Sequence, residues 1–146
     1  MKGPDRKKGA VINDRFSRGL ATMQAIDPDQ TVRILSGVGD IAPDFAAYLV
    51  EYAFGDIGSR PGLDLKLREF VAVAALAAMG TAQPQLKARI NGALKLGWTQ
   101  AELVELLMQI SVHAGFPTAI NGLTALREVL EENAAADRVR FARPRR

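Results

Sequence analysis

Apolar positions recur along this chain at helical spacing, and no stretch alternates apolar with polar residues as a strand does. Phe16, Leu20 and Met23 fall roughly on one face of a first predicted helix, from about Asp14 to Ala25. A second, short helix is predicted over Asp29–Ser36, where "SGVGD" ends it. Pro43 suits a first helical turn, whose N–H groups have no partner inside the helix, and opens a helix through about Phe54. The glycines and proline of "GDIGSRPG" (55–62) read as a loop. Asp64 then caps a helix to about Met79, and Gly80 stops it.

The next helix is predicted from near Pro84 to Gly97. Thr99 and Glu102 stand in the T-x-x-E spacing of a capping box, opening a helix to about Ala114. "GFP" (115–117) makes a break, and Pro117 begins a last helix to about Asn133. The pattern predicts an all-α, compact multi-helix fold. It forms a single domain over residues 13–135, between basic flexible tails at 1–12 and 136–146. Short turns between the four later helices make sequence neighbours antiparallel neighbours in space.

Two segments carry surplus apolar surface. From Phe70 onward the 65–79 helix is apolar all round, which predicts a central position. In the 99–114 helix, Leu103, Leu106, Leu107, Ile110 and Ala114 supply one face, and Val104, Met108 and Val112 widen it. That exceeds what one small helical layer covers, so part of it is expected to meet another copy of the chain.

Composition narrows the function. With 146 residues and 48% apolar content, the chain can build one real core. It has no cysteine, which excludes disulfides, thiolate metal sites and cysteine redox chemistry. One histidine and no cysteine argue against a tight transition-metal site. No apolar run reaches bilayer length, and the charged N-terminus is followed by no apolar segment of the secretory kind. The expected location is cytoplasmic, with no membrane partner. The net charge of +3 sits in the ends: residues 1–18 and 136–146 each carry +4, leaving the body at −5. A nucleic-acid binder concentrates basic residues on the fold itself, so no nucleic-acid partner is expected.

Four residues are candidates for chemistry. Glu69 shares a helix side with Leu65, Val73 and Leu76. Desolvation there raises a carboxyl's pKa and suits a general acid or base. The alternative is a structural ion paired with Arg68, Lys66 or a neighbouring helix. His113 ends its helix, either as a proton carrier or as a packing residue favoured by the helix dipole. Arg60, in the Gly/Pro loop, suits bidentate binding of an anion or a structural contact. Arg89 lies at the border of the apolar face marked by Leu86, Ile90, Ala93 and Leu94, where an arginine ordinarily snorkels. No phosphate-binding glycine motif and no Ser/His/Asp set is present.

Taken together, "SRPGLDLKLRE", "GALKLGWTQAE" and "HAGFPTAINGL" resemble the carboxymuconolactone decarboxylase family, which includes alkylhydroperoxidase D-like proteins. The likeness covers about residues 43–132. It implies the all-α fold of that superfamily, a homotrimer or homohexamer, and a site between helices near Glu69 and position 89. It also implies a cofactor-independent lyase of aromatic-compound degradation that acts on a small carboxylated lactone or related organic acid. The family's "QLxxHxxxAL" is here "QLKARINGAL", with Arg89 in place of histidine. The Cys-x-x-Cys of the peroxidase branch would fall on Ala82 and Gln85, so thiol peroxidase chemistry lacks its nucleophile. In the family's "QxxxYAGxP", His113 stands where tyrosine is usual. The resemblance therefore implies catalytic roles for Glu69 and His113 and anion contacts for Arg60 and Arg89. The alternative is a divergent member that binds a small anionic metabolite without decarboxylating it. A cavity holding Glu69, Arg89 and His113 together would favour the enzyme, whereas an Arg89 pointing to bulk solvent with Glu69 tied into a dry ion pair would count against it.

Overall fold

The computed structural model describes residues 13–142, and every regular element among them is helical. The chain divides into two compact units, one ending at Arg60 and one beginning at Pro61.

The N-terminal unit holds α1 (Asp14–Ile26), α2 (Pro28–Gly39) and α3 (Pro43–Tyr48). α3 runs on without a break into a wider π-helical segment, Leu49–Gly58. Asn13 starts α1 by accepting the Phe16 N–H at 2.9 Å. Asp27, buried and extended, ends α1 and starts α2 by accepting the Asp29 N–H at 3.1 Å. The helix predicted to stop near Phe54 thus runs to Gly58, and half of the predicted loop is helical. The glycines explain the difference. A Cβ at Gly19 would lie 2.0 Å from the Val50 carbonyl oxygen, and one at Gly55 would lie 2.5 Å from that of Arg15. These glycines let the backbones of α1 and the π-helical segment touch, a use that composition alone cannot tell from a loop.

The C-terminal unit is built from α4 (Leu65–Met79), α5 (Gln83–Lys95), α6 (Gln100–Ala114) and α7 (Phe116–Ala142). The predicted signals operate as expected. The Asp64 carboxylate accepts the Leu67 N–H at 2.7 Å, and Gly80 ends α4 at φ +72°. Both bonds of the capping box form: Glu102 N–H to Thr99 Oγ1 at 3.1 Å, and Thr99 N–H to Glu102 Oε2 at 2.9 Å. Val73, Ile90, Leu103, Leu107, Ala125 and Val129 form the centre of the core. α6 and α7 approach closely at Gly122, where a Cβ would lie 2.6 Å from Leu107 Cδ2.

One expectation needs correction. α7 continues past Asn133 to Ala142, so residues 136–142 of the expected tail are helical. "ENAAADRVRFAR" offers neither Gly nor Pro before Pro144, and its alanines and arginines favour helix even where it is fully exposed. The rest of that tail, 143–146, and the expected tail at 1–12 lie outside the described residues. The central position expected for α4 is found within its unit, where α4 packs against α5, α6 and α7. Glu69, Val73 and Ala77 form its buried strip, while Val71 and Met79 are exposed. The surplus face of α6 is likewise open, with Met108 44% and Val112 72% exposed. Among the described residues, no helix is long and apolar enough to cross a membrane.

Candidate active site

The site is built inside the C-terminal unit. The Asp64 cap sets the start of α4, and Glu69 then falls one turn before Val73 and two before Ala77 on the strip that faces inward. That register buries the carboxylate. On α5 the matching position is Arg89, beside the fully buried Ile90. The short turn at Gly80–Ala82 returns α5 along α4 and brings the two residues together.

Arg89 Nη1 donates to Glu69 Oε1 at 2.5 Å. The two side chains differ in exposure, 3% for Glu69 and 24% for Arg89. Glu69 Oε2 is buried and has no hydrogen-bond partner among the described residues. Burial pushes the Glu69 carboxyl above the ordinary carboxylate range, and the charge and hydrogen bond of Arg89 only partly oppose this. Such a carboxyl can carry a proton under milder conditions than a surface glutamate. That is the property a general acid requires.

The pairing settles the alternatives for Glu69 in favour of a partner on a neighbouring helix. Arg68 turns its Nε to the Leu63 carbonyl at 3.2 Å. Lys66 places its Nζ 4.5 Å from the centre of the Trp98 ring. Arg89 keeps its border position and part of its exposure, but its head reaches inward rather than only snorkelling outward.

Among the described residues of the C-terminal unit, His113 is not joined to this pair. His113 is exposed at the end of α6, its Nε2 3.5 Å from Gln109 Nε2 one turn back. Arg60 is an exposed residue of the N-terminal unit, its N–H donating to the Ile57 carbonyl at 3.2 Å.

One group near the site went unread in the sequence. Trp98 Nε1 donates to the Lys66 carbonyl at 2.7 Å, and its ring stacks on Phe70 at 4.2 Å between centroids. This clamp ties the α5–α6 turn to the first half of α4, on either side of Glu69. The only signal available was a lone tryptophan after a helix-stopping glycine, in "LGW".

Residues 43–128 match the carboxymuconolactone decarboxylase family, which covers more than half of the chain. The chain belongs to this family. It is 30% identical over 124 residues to 4-carboxymuconolactone decarboxylase of Acinetobacter baylyi, covering 83% of this chain and 92% of that protein. It is 32% identical over 123 residues to an uncharacterized 15.0 kDa protein of Paracoccus denitrificans, covering 84% and 92% of the two chains. A nitrosuccinic acid decarboxylase of Metarhizium robertsii is 27% identical over 96 residues, covering 66% of this chain and 65% of that protein. Both Glu69 and Arg89 lie inside the matched region.

Proposed function

We propose that this family member is a carboxy-lyase acting on a small carboxylated lactone or a related organic acid. Glu69 is the proton donor and Arg89 the anion contact. The observation that carries this reading is the buried Glu69–Arg89 pair, which joins a carboxyl biased toward its protonated form to a cation that solvent can reach. Membership of the carboxymuconolactone decarboxylase family and similarity to two named decarboxylases support it.

Loss of CO2 leaves an electron pair on carbon. In a lactone that pair spreads into the conjugated carbonyl, which is the electron sink, so the reading calls for no cofactor. The developing oxyanion needs a cation or hydrogen-bond donors, and the carbon then needs a proton. Arg89 suits the first task. It cannot supply the proton, because a guanidinium does not give one up near neutral pH. Glu69 suits the second. Arg89 is best placed on the enolate oxygen or on a carboxylate that stays with the substrate. A grip on the departing carboxylate would be lost in the transition state and would stabilise the ground state instead. Arg60 is a further proposed anion contact.

A second reading has its own observation. Arg89 replaces the titratable histidine of the family pattern with a permanent cation, which favours plain binding of a small anionic metabolite. Measuring CO2 release from a set of carboxylated lactones and aromatic-degradation intermediates separates the two. Turnover by the wild type that falls at least about tenfold in Glu69→Gln is expected for the lyase. Saturable binding without CO2 release from any of them supports the second reading.

The open apolar face of α6, with Met108 and Val112 exposed, supports self-association, and a homotrimer or homohexamer is proposed.

A further inference from the structure

The two members of the pair present very different surfaces to an incoming ligand. Glu69 is the deeper member, with one oxygen on Arg89 and the other without a hydrogen-bond partner among the described residues. Arg89 is the member that solvent reaches. A guanidinium has five N–H donors in a planar fork, so it can serve a second carboxylate while keeping Glu69. Two carboxylates would then share one cation where the dielectric is low, and like charges at that range cannot both remain ionised without large cost.

The deeper group is the one that yields. A ligand carboxylate at Arg89 keeps contact with water on its outer side, whereas Glu69 Oε2 is buried and no donor from the described residues stabilises its charge. We propose that binding of a small carboxylate at Arg89 is coupled to uptake of one proton by Glu69. In balanced form, the ionised Glu69–Arg89 pair, a ligand carboxylate and a proton from solvent give a neutral Glu69 carboxyl and an Arg89–carboxylate pair. The inference rests on the anion-contact role of Arg89 proposed above.

Other charged groups nearby are engaged elsewhere. Among the described residues, Arg89 of α5 is the charge that acts on the Glu69 carboxyl. On α5, Lys87 pairs with Glu128 at 3.2 Å and Glu132 at 2.5 Å, both on α7. On α4, Lys66 lies over Trp98, and Arg68 turns its Nε to the Leu63 carbonyl. On α6, Glu102 is tied to Thr99, and His113 stands by Gln109. A proton entering with the ligand therefore settles on Glu69 rather than on a neighbour. The consequence is functional: the substrate's own charge loads the acid that later protonates its carbon.

Calorimetric titration of the full chain with succinate, and separately with benzoate, tests this in two buffers of different ionisation enthalpy. The buffer dependence of the heat reports protons taken up per anion bound. We expect uptake approaching about one proton where Glu69 starts ionised, and affinity falling by up to about tenfold per pH unit there. In Glu69→Gln the anion should still bind, with no proton uptake and a flat pH dependence. A measurement on the wild type alone stands beside it: the side-chain carboxyl ¹³C resonance of Glu69 should move to its protonated position when succinate is added at fixed pH. Binding without proton uptake overturns the coupling, as does uptake that survives in Glu69→Gln, and both leave the lyase reading standing. Failure of the wild type to bind either acid overturns the coupling too. Absence of CO2 release in the separate screen counts against the lyase reading alone.

Discussion

Arg89 holds Glu69 by one oxygen only. Its Nη1 donates to Oε1 at 2.5 Å, and Oε2 is left buried with no hydrogen-bond partner among the described residues. The pair links the second turn of α4 to the middle of α5 and is half compensated: the cation is present on Oε1, yet no donor from the described residues reaches Oε2.

Removing the cation should cost stability in a pH-dependent way. With Arg89→Met, an ionised Glu69 would be buried without a partner. We expect a loss of about 1–3 kcal/mol at neutral pH by urea unfolding, limited because Glu69 can neutralise itself by taking a proton. The folded pKa of Glu69 is raised above its unfolded value. Its contribution is therefore fully present below the unfolded pKa and is lost as pH rises through the folded one. The variant should recover much of its deficit in acid. An equal deficit at acid and neutral pH would show that Arg89 acts through packing rather than charge.

Placing a histidine at position 89 should add a titration. Arg89→His replaces a permanent cation with a group that changes charge near pH 6–7. The profile of CO2 release against pH should gain an inflection in that region that the wild type lacks. An unchanged profile would place position 89 outside the proton path and outside the oxyanion contact.

His113 is exposed and has Gln109 as its neighbour. His113→Ala is therefore expected to keep the wild-type rate of CO2 release within about twofold. A general acid or base ordinarily contributes about a hundredfold or more. A loss on that scale would return His113 to the mechanism.

Gly122 is a packing requirement. A methyl group there would lie 2.6 Å from Leu107 Cδ2, where α7 meets α6. Gly122→Ala should lower stability by about 1–3 kcal/mol despite its better helix propensity. A melting temperature at or above that of the wild type would mean that Leu107 repacks freely.

The open face of α6 should govern self-association. Met108→Glu with Val112→Glu places two charges where both side chains are now exposed and apolar. Sedimentation should show the wild type as an oligomer and the double variant shifted toward monomer, with helical content unchanged. A monomeric wild type would remove the reason given for the surplus apolar surface.

Local chemistry was enough to define most of the helices. Asp64, Gly80 and the Thr99–Glu102 box act through hydrogen bonds within a turn of themselves, so they were legible in the chain, as was the all-α class. The inward position of Glu69 followed from spacing alone. Two boundaries were not legible. Gly55 and Gly58 look like loop residues until α1 is seen lying against that segment, and α7 persists beyond the last core contact because nothing in its composition breaks it. What only the tertiary structure decided is which charge Glu69 meets. Lys66 and Arg68 are its neighbours in sequence, but the helix turns both heads elsewhere, and the partner is Arg89, twenty residues on. Spacing along one helix determines which face a side chain occupies. The partner depends on how a second helix is laid against that face, which is settled by the packing of Val73, Ile90 and the rest of the core.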